Sequence, residues 1–421
     1  MSENLNEFNS DELQAPEWLN DDFFLKVLTN CENKTSKIIL NNAKISPASM
    51  KGDHYASVMF RALLDYDLDG VAQTKSVIVK TIPETEGHKK EMLDKSNIFE
   101  TEINMYNEAL PRFEQILRDC GDNTVLKPSC LYSALEPKQV IVLEDLVASG
   151  YEVVRDRVLS EEEVKATYAK LAKWHAVSYK IGLEEPHYFD KIKGGIFTLS
   201  FSMDMPFLTD GIKYFVDMLK ATPSLQEYLP YFEAIKPNLW EKCRASFAEY
   251  REAPQENGCY VLCHGDFHTK NAMFKYQNVS RELEDVMLLD FQVSYFGPLA
   301  NDLIYSLYLL LDENLRLEFN TMLYYYYTVF KSTLIKIGFT GSLPTLEQIR
   351  QQYYRQRYFE LFIVVTFLPI RFAFTDQGDR CENALTSDDF RRNMYYTKGY
   401  LKYLEEILPR YLHLGYFEDL V

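Results

Sequence analysis

The chain has 421 residues, of which 47% are apolar, and a formal net charge of −17. This length is sufficient for two lobes with a substantial core, and the apolar content excludes extensive disorder. The negative charge argues against a nucleic-acid partner, because such binding depends on Lys and Arg side chains that neutralise phosphates. The seven cysteines lack CxxC spacing and indicate reduced thiols rather than disulfides or a zinc site, so we expect a cytoplasmic protein.

No membrane segment is expected. The apolar runs at 303–311 and 361–370 are shorter than the roughly 20 residues that a membrane-spanning helix requires. The N-terminus is acidic and lacks the basic and apolar regions of a signal peptide. No feature of the sequence indicates an obligate protein partner.

The N-terminal part of the chain is predicted to form an arm and a helix, followed by strands. Residues 1–35 contain the arm and a helix that begins near Pro16. Strands are predicted near 38–40, 55–64 and 74–80, with turns rich in Asp and Gly between them. Consecutive hairpins of this kind indicate an antiparallel sheet.

Lys80 ends the third of these strands after a run of apolar residues, Val77 to Val79. This matches the Val-x-x-Lys pattern in which a lysine binds the α- and β-phosphates of ATP. Apolar residues at helical spacing then predict a helix from Asn97 to Leu110, which Pro111 should end. Glu102 lies near the inward face of that helix, where an ion pair with Lys80 can form. The alternatives are a solvated lysine and a stray surface glutamate.

The next predicted strand, near 139–143, leads into a segment that contains Glu144 and Leu146. By itself this is an ordinary exit from a strand to a loop. Ser160 and Glu163 then form a capping box that begins a helix. The chain beyond it is predicted to be mostly helical. Its many aromatic residues suit either an apolar acceptor pocket or a helical core.

The central motif of the chain places three polar residues after short apolar runs. Asp266 and Asn271 follow the first run, and Asp290 follows the run at 286–289. We expect two short strands that bring these side chains together. Two carboxylates and an amide suit Mg²⁺, which would be held by Asn271 and Asp290, while Asp266 would be the catalytic base of a phosphoryl transfer. A hairpin whose polar residues cap turns is the alternative, but the combined pattern favours chemistry.

Only 11 residues separate Asp290 from Asp302, which precedes a long apolar run. A protein kinase inserts a longer activation segment at this point, and that segment supports a peptide substrate. The short connection therefore argues against a protein kinase. We expect a small-molecule acceptor that carries an alcohol hydroxyl.

The motif HGDFHTKN at 264–271, followed by LLDFQ at 288–292, resembles the catalytic and metal-binding loops of the aminoglycoside and choline kinases. The sequence DFQ and the segment at 99–106, which has the pattern Phe-x-x-Glu-x-x-x-Tyr, resemble the ecdysteroid kinase-like family of insects. The resemblance implies a two-lobed α+β fold of the protein-kinase type, with an antiparallel-sheet N-lobe and a helical C-lobe. It also implies ATP and Mg²⁺ as cofactors.

The resemblance assigns further residues to the nucleotide. It selects Glu102 as the partner of Lys80, and it places a phosphate-covering loop at 51–57, where Ser57 would reach the phosphates. This loop has a single glycine, and an ordinary turn is the alternative.

The resemblance also places the adenine site. The Glu144 carbonyl and the Leu146 N–H would bind the adenine edge, and Met273 would form the apolar floor of that site. It implies, in addition, that Asp302 braces the catalytic loop.

The predicted organisation is an arm and helix at 1–35, an N-lobe at 36–143, a hinge at 144–150 and a helical C-lobe at 151–421. The predicted function is ATP-dependent transfer of a phosphoryl group to an alcohol, and the resemblance implies an ecdysteroid or a related metabolite as the acceptor. The alternative is a catalytically silent protein that binds a small lipophilic ligand. The intact Lys80, Asp266, Asn271 and Asp290 favour the enzyme.

Overall fold

The computed structural model describes most of the chain, in segments separated by short gaps. The described residues are 10–32, 36–48, 57–84, 88–94, 96–155, 157–199, 202–377 and 387–420. The loop at 51–57 that we assigned to the phosphates lies outside these segments except for Ser57. Across the described segments, no helix is both long enough and apolar enough to cross a membrane.

The N-terminal lobe is built on a five-stranded antiparallel sheet with the order β1-β2-β3-β5-β4. Its strands are β1 (Ile38–Pro47), β2 (Val58–Leu68), β3 (Val71–Thr81), β4 (Cys130–Ala134) and β5 (Val140–Glu144). The hairpin between β2 and β3 turns at Asp69 and Gly70, which have φ angles of 52° and 83°. Positive φ at both central residues matches the right-handed twist of the flanking strands.

Helix α1 (Asp21–Cys31) covers one face of this sheet. Its Phe24, Val27 and Leu28 side chains are buried in a core with apolar residues of β2, β3 and β5. The predicted start at Pro16 is wrong, because the helix begins after Asn20, whose side chain accepts a hydrogen bond from the Phe23 N–H. An Asn cap of this kind satisfies a backbone donor that the first turn leaves unpaired.

The other face of the sheet is covered by a longer helical segment than we predicted. Helix α2 (His88–Asp94) precedes α3 (Ile98–Asn104), which continues through a π-turn at Met105–Ala109 into α4 (Leu110–Asp119). The prediction that Pro111 ends the helix is wrong. Pro111 lies in the first turn of α4, where its missing N–H removes no hydrogen bond that this new helical segment needs.

The central motif forms four strands rather than the predicted two. Strand β7 (Tyr260–Cys263) pairs with β10 (Tyr295–Pro298). The other two strands of the motif, β8 (Ala272–Tyr276) and β9 (Leu283–Leu288), pair in a second small sheet. Strand β6 (Tyr151–Glu152), which lies outside the motif, is the third strand of that sheet. Asp266 therefore follows β7, Asn271 precedes β8 and Asp290 follows β9.

The rest of the C-terminal lobe is helical and is built around α5 (Glu161–Glu184), which is buried along most of its length. The predicted capping box of Ser160 and Glu163 is confirmed, and the side chain of His175 on this helix is fully buried. The remaining helices are α6 (Pro206–Thr209), α7 (Gly211–Ala221), α8 (Leu229–Ile235), α9 (Leu239–Glu252), α10 (Ala300–Leu309), α11 (Glu313–Leu317), α12 (Phe319–Lys336), α13 (Leu346–Arg355), α14 (Arg357–Gln377), α15 (Asp388–Asn393) and α16 (Lys398–His413).

Candidate active site

A cleft with about 1050 Å³ of empty volume lies between the sheet and the strands of the central motif. Eight of the nine residues that the sequence assigned to the site line it: Ser57, Lys80, Glu102, Glu144, Leu146, Asn271, Met273 and Asp290. The ninth, Asp266, is hydrogen-bonded to Asn271 at the edge of the cleft. The structure thus brings together residues that are up to 233 positions apart in the sequence.

Lys80 forms two ion pairs at the back of the cleft. Its Nζ lies 2.6 Å from Oε2 of Glu102 and 2.7 Å from Oδ1 of Asp290. Burial alone would lower the pKa of Lys80, but the two carboxylates outweigh it and raise that pKa above its usual value. Lys80 is therefore a fixed positive charge that joins the sheet, α3 and the end of β9.

The backbone of the catalytic loop is held by Asp302 on α10. The Asp302 carboxylate accepts hydrogen bonds from the His264 N–H at 2.6 Å and from the Gly265 N–H at 2.9 Å. Gly265 has a φ angle of +85°, and a Cβ atom at this position would lie 2.4 Å from the Val293 carbonyl oxygen. Only glycine fits this turn, because both the backbone angle and the space exclude a side chain.

His264 connects the catalytic loop to the segment that carries Asp290. Its Nε2–H donates to the Leu289 carbonyl oxygen at 2.9 Å, and its Nδ1 accepts a 3.3 Å hydrogen bond from the Asp266 N–H. These two bonds require the neutral ring with its proton on Nε2. Burial lowers the pKa of His264, which agrees with that neutral form.

The Asp266 carboxylate is surrounded by hydrogen-bond donors. Oδ1 accepts from the Tyr305 hydroxyl at 2.6 Å, and Oδ2 accepts from the Asn271 amide at 2.9 Å. The His268 Nε2 atom lies 3.4 Å from Oδ2. Burial opposes the charge of Asp266, but His268 and the Tyr305 hydroxyl hold its pKa well below its usual value. Asp266 is therefore an ionised acceptor in a fixed orientation.

Tyr305 was missed by the sequence analysis. The signal was available, because Tyr305 lies three residues after Asp302 and residues at that spacing share one face of a helix. If Asp302 faces the catalytic loop, Tyr305 faces it as well. Gln292 was also missed: its amide donates to Oδ2 of Asp290 at 3.2 Å, and its buried Oε1 has no hydrogen-bond partner in the described structure.

The residues predicted to hold Mg²⁺ are an amide and a carboxylate on adjoining backbone segments. The Leu289 N–H donates to the Asn271 carbonyl at 3.0 Å, which joins the end of β9 to the start of β8. The Asn271 Nδ2 donates both to Oδ2 and to the backbone carbonyl of Asp266, so Oδ1 is the atom left for a cation. Within the described ranges, no group of three or more His, Cys, Asp or Glu side chains is arranged to hold a metal.

This donor set fits Mg²⁺ rather than a tightly caged metal. Mg²⁺ usually takes one or two protein ligands and completes its shell with water and substrate phosphates. Asp290 has a φ angle of +63°, which is uncommon outside glycine and is often found at functional sites. The strained backbone at Asp290 places its carboxylate in the cleft beside Lys80.

The hinge segment is fixed to the sheet by Asp145. Its carboxylate accepts hydrogen bonds from Arg61 Nε and from the Ser76 hydroxyl, both at 2.7 Å. Leu146 packs with Met273 and Met287 in a small apolar cluster below the cleft. On the opposite wall, Ile78 and Leu143 also line the cleft. The result is an apolar lining beside the backbone of the predicted hinge, which suits an aromatic ring.

An antiparallel sheet, the segment that connects it to the helical lobe and the strands of the central motif surround this cleft, and a buried lysine bridges two carboxylates within it. These features define the class of protein: it has the two-lobed α+β fold of the kinase-like proteins. The model of the ecdysteroid kinase-like family matches residues 51–339, and the chain belongs to that family. The predicted family resemblance and fold class are thereby confirmed.

Several solved structures of small-molecule kinases are similar to this chain. The Plasmodium vivax ethanolamine kinase has 14% sequence identity and a TM-score of 0.40, covering 90% of this chain and 83% of its own. A microcompartment-associated aminopropanol kinase has 13% identity and a TM-score of 0.39, with coverages of 94% and 99%. A choline kinase from Streptococcus pneumoniae has 13% identity and a TM-score of 0.34, with coverages of 80% and 99%. The search of curated proteins found no match.

Proposed function

We propose that the chain transfers the γ-phosphoryl group of ATP to the alcohol hydroxyl of a small apolar molecule. The proposal depends on one observation, which is that these polar side chains meet at a single cleft. Lys80 forms ion pairs with Glu102 and Asp290 there, and Asn271, which lines the same cleft, donates a hydrogen bond to Asp266. A buried cation beside carboxylate and amide oxygens suits a triphosphate, and an ionised aspartate at its edge suits an attacking hydroxyl.

Each side chain has one role in this proposal. Lys80, oriented by Glu102, binds the α- and β-phosphates, and Ser57, which also lines the cleft, contributes a further contact. The hinge at 144–150 binds adenine through the Glu144 carbonyl and the Leu146 N–H, and Met273 forms the floor of that slot. The N-lobe at 36–143 and the C-lobe at 151–421 hold these groups on opposite sides of the nucleotide.

Asp266 binds and orients the acceptor hydroxyl and accepts its proton as the new phosphate ester forms. Its low pKa makes it a weak base, so its main contribution is to hold the hydroxyl in line with the phosphoryl group. Asn271 and Asp290 hold Mg²⁺. When bound there, Mg²⁺ neutralises charge on the phosphates.

The surroundings of Asp266 favour an apolar acceptor. The Tyr305 ring stacks at 6.4 Å on Phe359 and lies 5.7 Å, edge to face, from Phe367. Phe367 in turn contacts Phe207 at 5.9 Å. Phe207 and Phe367 are only partly buried, and an aromatic surface near Asp266 suits the body of a steroid. The family name supports an ecdysteroid as the acceptor.

The proposal is tested by incubating the protein with ATP, Mg²⁺ and a panel of alcohols that includes ecdysteroids. Mass spectrometry should detect an acceptor that gains one phosphoryl group, and D266N should abolish that gain. If no alcohol is phosphorylated but an ecdysteroid binds with equal affinity to wild type and D266N, the chain is the catalytically silent binder. Equal product from wild type and D266N would also contradict the role of Asp266.

A further inference from the structure

A second cavity lies within the helical lobe and shares no lining residue with the cleft. It has about 790 Å³ of empty volume, part of which is open to solvent, and is lined by side chains from α10, α11, α12, α13, α14 and α16. Sites for small organic ligands are mostly apolar with a few polar groups. Much of its wall is apolar, with contributions from Leu307, Phe319, Leu323 and Ile407.

The charged groups of this cavity are mainly cationic although the protein is strongly acidic. Arg316, Arg350 and Arg410 line it, and Glu360 is the single carboxylate among the lining residues. In the described parts of the chain, no Asp or Glu lies within ion-pair distance of any of the three guanidinium groups. The lining therefore has a formal excess of two positive charges.

The single carboxylate is already satisfied by hydroxyl groups. Glu360 accepts hydrogen bonds from the Tyr308, Tyr411 and Tyr416 hydroxyls and is almost completely buried. The Glu360 oxygens therefore accept hydrogen bonds from one tyrosine on α10, one on α16 and one that follows α16. The arginines are not required to pair with Glu360 and present donors for another anion.

Two buried donors in the cavity wall are without a hydrogen-bond partner in the described structure: the Tyr353 hydroxyl and Nε of Arg316. Buried polar atoms of this kind are uncommon, because each loses its contacts with water on folding. Arg316 is nevertheless held in place. Its Nη1 donates to the Leu311 carbonyl at 3.2 Å, and its guanidinium lies 5.0 Å from the centre of the Tyr403 ring. Both atoms belong to residues that line the cavity, and neither has a protein acceptor in the described structure.

We infer that this cavity binds a phosphate monoester with an apolar body. Two negative charges on the phosphate match the excess of two positive charges, and guanidinium groups bind phosphate oxygens in a bidentate manner. The aromatic and aliphatic walls accommodate the apolar body. The inference concerns binding alone and does not depend on the proposed phosphoryl transfer.

The test uses the full chain and isothermal titration calorimetry with 1-naphthyl phosphate as the probe. Inorganic phosphate and 1-naphthol present the charged and the apolar part of the probe separately. Wild type should bind 1-naphthyl phosphate at least tenfold more tightly than either part. The double variant R350Q/R410Q should bind it at least tenfold more weakly, while R251Q, an exposed arginine outside the cavity lining, should bind as wild type does.

A second variant, Y353F, removes only the unpartnered hydroxyl. Its thermal stability without ligand should equal or exceed that of wild type, because no hydrogen bond is lost, and its affinity for the probe should fall severalfold. Arg350 and Arg410 are exposed, so their substitution leaves the core intact, which circular dichroism would confirm. Unchanged probe affinity in R350Q/R410Q, or equal affinity of wild type for inorganic phosphate and for the probe, would overturn the inference.

Discussion

Tyr305 donates a 2.6 Å hydrogen bond to Oδ1 of Asp266 and so connects helix α10 directly to the candidate catalytic carboxylate. Asp302, one turn earlier on the same helix, holds the backbone of the loop through the His264 and Gly265 N–H groups. One face of α10 therefore fixes both the position of the loop and the orientation of its carboxylate.

We predict that Y305F lowers kcat about tenfold. Loss of a hydrogen bond to a charged group costs about 1.5–3 kcal/mol, part of which appears as poorer orientation of Asp266. Y400F is the matched control, because the Tyr400 hydroxyl makes a similar buried bond of 2.7 Å to the Val364 carbonyl, away from the cleft. Steady-state kinetics should show the loss of kcat in Y305F alone. Equal kcat in both variants would contradict an orienting role for Tyr305.

The ion pair between Lys80 and Glu102 should matter more for ATP than for folding. E102Q keeps the shape of the side chain and leaves Lys80 paired only with Asp290, so the lysine is less well placed for the phosphates. We expect kcat/KM for ATP to fall at least tenfold. E100Q, an exposed glutamate on the same helix, should leave kcat/KM unchanged. A similar loss in E100Q would point to a general effect on α3.

Gly265 combines a positive φ angle with a close approach to Val293, and two variants separate these effects. G121A tests the angle alone, since Gly121 has a φ of +81° and open space around its Cα. It should lower the free energy of unfolding by about 1–2 kcal/mol. G265A adds a contact of 2.4 Å with a carbonyl oxygen and should cost more, roughly 3 kcal/mol or above. Urea denaturation measures both, and an equal loss would exclude the steric contribution.

Glu163 gives a pH-dependent contribution to stability. Burial opposes its charge, but the Arg157 guanidinium and the Tyr276 hydroxyl lower the pKa of Glu163 to about 2. Because its pKa in the folded state lies below the value near 4.3 expected when unfolded, its stabilisation is present above pH 4.3 and is lost as pH falls toward 2.

E163Q retains the side-chain oxygen of the capping box but removes the charge. It should be less stable than wild type at pH 7, and the difference in urea midpoint should shrink as pH falls from about 7 to about 3.5. A constant difference across this range would show that the charge of Glu163 does not stabilise the native state.

Local patterns predicted the ends of strands and the faces of helices. The apolar runs before Lys80 and Asp290 were sufficient to select those two residues, whereas the family resemblance was needed to select Glu102 as the partner of Lys80. The second ion pair, between Lys80 and Asp290, was not predicted. Lys80 lies near the end of β3 and Glu102 lies within α3, so the direction of each side chain follows from its own strand or helix. The roles of the nine selected residues remain predictions that the variants above test.

Other features depended on structure that local patterns do not encode. Proline normally ends a helix, but the π-turn at 105–109 begins a new helical segment in which Pro111 occupies the first turn. The second cavity joins residues from Leu307 to Tyr416, whose convergence depends on how five or more helices pack. The aromatic residues of that region fit a core and a pocket equally well until their neighbours are known.

The most direct test of the central claim is the calorimetric measurement of ATP binding with and without Mg²⁺, in wild type and in D290N. We predict that Mg²⁺ strengthens ATP binding at least tenfold in wild type and that D290N loses this dependence, because the proposed metal site uses Asp290, beside Lys80. If wild type binds no ATP in the presence of Mg²⁺, or if D290N retains the full effect of Mg²⁺, the proposed active site is contradicted.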